Sequence, residues 1–124
     1  MKIKELKDIQ KKYIKDVKSY FERVSEELQN KIKYKVEIEE IKSESDEMWA
    51  DYNIKVGKTK FMLDCSPFED YFRLAVFEGT KLAAKSIKKC KGEWDDIFEN
   101  YVLFCTEDLD DIVDFFKWVE ENEK

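Results

Sequence analysis

The spacing of apolar residues changes once, near residue 30, and that change divides the chain between two kinds of secondary structure. Ile3, Leu6, Ile9, Tyr13, Ile14, Val17, Tyr20, Phe21, Val24 and Leu28 recur every three or four residues, the period of one helical face. They predict a helix over residues 2–29. Its stripe joins Leu6, Tyr13 and Tyr20 to Ile14, Phe21 and Leu28 and is too wide for a two-stranded coiled coil, so the helix is expected to cover a sheet. From Ile32 the period falls to two: Ile32, Tyr34, Val36 and Ile38 alternate with Lys33, Lys35, Glu37 and Glu39, as in a half-buried strand.

The polar run Lys42–Glu47 turns the chain, and Met48, Ala50, Tyr52, Ile54 and Val56 form a second alternating set. Gly57-Lys58 then fits a two-residue hairpin loop with glycine first. That loop sets a register in which Val56 faces Thr59, Ile54 faces Phe61, Tyr52 faces Leu63 and Ala50 faces Cys65, all on one side. Pro67 ends the strand, and Tyr71–Phe77 reads as a fourth, apolar on both faces and therefore interior. Thr80 caps a helix to Lys91 with Gly92 as terminator, and Trp94–Asn100 is expected to add a short helical turn. Tyr101–Cys105 has the length and composition of a buried strand, and Thr106 caps a last helix whose first turn is acidic.

The expected order is α-β-β-β-β-α-β-α. This is an α+β chain with a long N-terminal helix, a mostly antiparallel sheet of 4–5 strands and an acidic C-terminal helix, residues 1–124 forming a single domain. Apolar residues make up 43% and aromatics 15%, with three Gly and one Pro, which opposes disorder although 42% of residues are charged.

Several function classes lose their chemical basis here. There is no apolar leader or membrane span, so the expected location is cytoplasmic and no membrane partner is expected. Cys65, Cys90 and Cys105 are odd in number and widely spaced, as expected of reduced thiols, with Cys65 and Cys105 read as buried. The chain has no His, which removes the usual base for a Ser or Cys nucleophile and the usual zinc ligand. Gly57, Gly79 and Gly92 are isolated, so no phosphate-binding loop exists. No catalytic residue, cofactor site or metal site is assigned, and a non-enzymatic protein is expected. Lys outnumbers Arg 21 to 2, a bias read as AT-rich coding and hence a bacterial or phage source.

Charge is distributed in blocks. Residues 1–18 carry seven Lys against three acids, whereas 93–124 carry twelve acids against two Lys, within a chain of net charge −6. The acidic block repels nucleic acid and attracts basic surfaces, although such a block is equally explained as a solvated face. On a helical projection Leu109, Ile112, Val113 and Phe116 share one side, and Trp118 falls among Glu107, Asp110, Asp111, Asp114 and Glu121 on the other. Trp118 is then either an interface anchor with a polar rim or, with Phe115, a widening of the core stripe. Trp94, followed by Asp95 and Asp96, repeats the pairing of indole and carboxylate and carries the same two readings. The hairpin register also sets Asp51 opposite Asp64 on the outer face, an arrangement that calls for a cation, a Lys or Arg from elsewhere, or a partner.

The expected function is an acidic protein-binding module of the immunity or phage-inhibitor type, which occludes the basic surface of a toxin, nuclease or other nucleic-acid-binding protein without touching nucleic acid itself. Trp94, Asp95, Asp96, Asp108, Asp110, Asp111, Asp114 and Trp118 are its expected contact residues. The alternative is a small chaperone or adaptor for a hydrophobic client, with Tyr13, Tyr20 and Phe21 partly exposed.

Overall fold

The computed structural model describes residues 17–44, 47–66, 71–97 and 99–123. In chain order these form α1 (Val17–Gln29), β1 (Val36–Glu44), β2 (Glu47–Val56), β3 (Thr59–Cys65), β4 (Phe72–Val76), α2 (Lys81–Cys90), β5 (Glu93–Asp95), β6 (Asn100–Thr106) and α3 (Leu109–Asn122). The strands make one antiparallel sheet in the order β1-β2-β3-β4-β6-β5, so the fold is α+β with six strands. Residues 2–16 of the predicted first helix lie outside the described residues.

The turn at Gly57–Lys58 has Gly57 at φ +61°, the left-handed region that the first position of a type II′ loop requires. Ala50↔Cys65, Tyr52↔Leu63, Ile54↔Phe61 and Val56↔Thr59 are all paired as the register predicts. The inward face of these strands is buried under the helices. Tyr52 donates from its hydroxyl to the Phe21 carbonyl at 2.7 Å, fastening β2 to α1. Phe61 packs edge-on against Phe115 and Phe116 of α3 at 5.6 and 5.4 Å, which centres that helix over β3.

Three local expectations are corrected. The first strand begins at Val36, not Ile32, because the Gln29 side chain holds the intervening turn, donating to the Tyr34 carbonyl and accepting from the Val36 N–H. A bulge between Ile38 and Glu40 then places Ile38 opposite Tyr52 and Ile41 opposite Ala50, so that two residues three apart face the same core. Residues 93–95 are a strand, not a helical turn, because Glu93, Trp94 and Asp95 pair with Val102, Tyr101 and Asn100. The cap of α3 is Asp108, whose carboxylate accepts from the Asp110 N–H; Thr106 instead accepts from the Asp108 N–H, one step earlier in the same turn.

The end of α2 departs from expectation in a way that can be tested. Lys91, not Gly92, occupies the left-handed position, at φ 54°, while the Gly92 N–H closes on the Ile87 carbonyl. Gly92 is needed for space: a Cβ there would lie 2.9 Å from the Val102 carbonyl oxygen. Lys91→Gly should therefore stabilise the protein by about 0.5–1 kcal/mol, and Gly92→Ala should destabilise it by roughly 1–3 kcal/mol. Urea unfolding at neutral pH measures both, and the opposite ordering would mean that Gly92 is the conformational terminator after all.

Candidate functional site

The predicted contact residues fall into three places. Around β5 and the turn that follows it, Tyr71, Trp94 and Ile97 are 43%, 46% and 83% exposed, and they are the large apolar side chains most open to solvent among the described residues. They border an open concavity of about 510 Å³ together with Glu93, Asp95, Asp96, Arg73, Val102 and Cys105. Trp94 stands edge-on to Tyr101, its partner across the β5–β6 ladder, at 5.0 Å and keeps nearly half of its surface exposed. Asp96 is exposed beside it. Asp95 is largely buried and has an internal role, accepting the Ile97 N–H at 2.9 Å to shape the turn and pairing with Arg73 at 2.8 Å.

The second place is a groove of about 460 Å³ between the end of α2, β6 and α3, where Trp118, Asp111 and Asp114 come together. Trp118 is half-buried, tilted against Phe115 at 5.7 Å, with the Lys89 ammonium 5.1 Å from its ring centre. The indole therefore widens the core stripe and carries a cation on its face, with Asp111 and Asp114 of the projected ring of acids lining the same groove. Asp111 accepts a hydrogen bond from the Thr106 hydroxyl. Asp108 is occupied as the helix cap, and Asp110 points elsewhere, 3.5 Å from Lys31.

The third place is the sheet face opposite the helices, where Asp51 and Asp64 stand directly across from one another. The group that answers them is Arg73, opposite Asp64 on β4. Its Nε and Nη2 reach Asp64 Oδ2 at 3.0 and 2.9 Å while Nη1 reaches Asp95 Oδ2 at 2.8 Å, so one planar fork joins β3, β4 and β5. Sequence reasoning named the need for such a group but not the residue. The signal was present in the β3–β4 register, but the connection at 67–70 has no fixed loop length from which that register follows. Cys105, opposite Arg73, lies on this outer face and is exposed, which corrects its reading as buried. Cys65 faces inward, and burial pushes its thiol up to about 12.

Asp51 is 4% exposed, and Asp64 shares a hydrogen bond with it. Burial, then the hydrogen bond and the charge of Asp51, push Asp64 up to about 7 against the opposing pull of Arg73. Asp64 thus keeps its proton through the weakly acidic range. Among the described residues no group of three or more Cys, Asp or Glu side chains is placed to hold a metal ion, and no helix is long and apolar enough to cross a membrane. Comparison of the chain with protein-family models, with curated proteins and with solved structures finds no match.

The shared proton has a measurable sign. The folded protein keeps on Asp64 a proton that the unfolded chain releases near the ordinary carboxylate value of about 4, so this pair's contribution to stability falls as pH rises from about 4 to about 7 and is level above. Asp51→Asn removes the like charge but leaves Asp64 buried, so it should lessen that slope without abolishing it. Relative to the parent, the variant should gain about 1 kcal/mol at pH 8 and less at pH 5, read by urea unfolding at several pH values; a pH-independent difference would mean that the charge of Asp51 does not act on Asp64.

Proposed function

We propose that this protein is a non-enzymatic, acidic protein-binding module that covers a basic surface on another protein, in the manner of immunity proteins and phage-encoded inhibitors of nucleases. The observation that carries this reading is the surface around β5: three exposed apolar side chains, Tyr71, Trp94 and Ile97, bordered by Glu93 and Asp96. Aromatic anchors within a charged rim are the usual composition of an energetic contact patch. Acids on that rim speed the approach of a basic partner and pair with Lys or Arg that would otherwise meet phosphate.

The roles of the individual acids follow from their other contacts. Asp96 and Asp114 are exposed carboxylates, and Asp111 is exposed while accepting from the Thr106 hydroxyl, whereas Asp95, Asp108 and Asp110 are engaged within the fold by Arg73, the α3 cap and Lys31. The reading as a chaperone for a hydrophobic client is less well supported, since Tyr20 and Phe21 are 2% and 0% exposed and so face the core; Tyr13 lies outside the described residues.

Capture from a lysate of the source cells tests the proposal, with parent and Trp94→Ala proteins immobilised in parallel and washed at low and at moderately high salt. A basic nucleic-acid-binding protein held by the parent, released by salt and held at least tenfold less by the variant is expected, and its binding to nucleic acid should be blocked by the parent protein. Identical capture by both proteins, or capture indifferent to salt, would sink the reading.

A further inference from the structure

The two edges of the sheet are built differently. At one edge, β1 carries Glu37, Glu39 and Glu40 and a bulge between Ile38 and Glu40, features that discourage another strand from pairing there. At the other edge, β5 is three residues long and covers only Asn100–Val102 of β6. Phe104, Cys105 and Thr106 pair with Leu74, Arg73 and Phe72 on one side and, among the described residues, with no strand on the other. These three residues include no charge and no proline. This is why β6, expected as a buried strand, has an exposed Cys105 and half-buried Phe104 and Thr106.

Beside this open stretch lies the groove between α2 and α3. Phe104, Phe115 and Trp118 provide its apolar wall; the exposed Asp111 and Asp114 make one rim acidic, while Lys89 on the α2 side is held over the Trp118 ring. A strand laid along Phe104–Thr106 would satisfy the backbone groups that turn away from β4, and its alternate side chains would enter the groove. A second copy pairing its own β6 there would bring no Lys or Arg on that strand to Asp111 and Asp114, since Asn100–Thr106 carries no charge.

We propose that Phe104–Thr106 accepts an extended, lysine- or arginine-bearing segment of a partner protein as an added strand, with its basic side chains meeting Asp111 and Asp114. This rests on the basic-partner reading above and deepens it: the open edge supplies main-chain hydrogen bonds, and the acids select the charge of the segment. The β5 surface lies close by, since Cys105 lines both the groove and the concavity beside Trp94.

Three nine-residue probes test this: an alternating Lys-Val peptide, its fully N-methylated form, and an alternating Glu-Val peptide, each titrated into isotope-labelled protein while backbone amide shifts and exchange are followed. The Lys-Val peptide should bind, slow exchange at Phe104–Thr106, and bind at least tenfold more weakly when N-methylated or when the protein carries Asp111→Asn with Asp114→Asn. Equal binding of the methylated form would overturn strand addition and leave the basic-partner reading standing. Equal binding of the Glu-Val peptide would overturn the charge preference and with it that reading, while the edge remained. Lack of binding, protection at other amides, or self-association that protects Phe104–Thr106 without peptide would each overturn the proposal, the last by making a second copy the occupant.

Discussion

The two-residue connection at Gly57–Lys58 decides which side chains of β2 and β3 face the helices, and the later contacts inherit that decision. With glycine in the left-handed region the two-residue loop can close Val56 onto Thr59, and the register that follows places Tyr52, Ile54, Phe61 and Leu63 together on the inward face. A shift of one residue would send all four to the outer face and bring Asp51, Asn53 and Asp64 into the core. The fastening of Tyr52 to α1 and the packing of Phe61 under α3 both presuppose the register chosen at this turn.

The same register creates the least comfortable feature of the sheet, two carboxyls face to face and largely removed from water. Ionising both would cost several kcal/mol, and the structure relieves this with a retained proton and with Arg73. Only a guanidinium reaches Asp64 and Asp95 together in one plane; a lysine ammonium would serve as a point charge and lose the fork. In a chain that otherwise prefers Lys so strongly, an Arg at this position has a geometric explanation independent of codon bias.

Much of this fold was legible because its strongest signals are local. Alternation from Val36 to Cys65 and the Gly57 turn gave the hairpin, and Thr80 was readable as the cap of α2. What escaped was set by tertiary contacts. Nothing near Glu93 announces a strand, because β5 exists only by pairing with β6, and Gly92 looked like a terminator because the backbone pressing on it comes from Val102. Of the candidate site, the pairing of indole and acid pointed to Trp94 and Asp96, which are exposed, whereas the reading of Trp118 depended on an angle alone, and the indole packs between Phe115 and Lys89. Arg73 was missed because its partners come from two other strands, β3 and β5.

The tie from Arg73 to Asp95 also bears on how the protein opens. A three-residue edge strand held only by its own ladder would fray at almost no free-energy cost, independently of the rest of the molecule. Because Asp95 is linked through one guanidinium to Asp64, detaching β5 also strips a counter-charge from the centre of the sheet. The opening of β5, the strand that carries Trp94, is thereby coupled to the charge balance of β3 and β4.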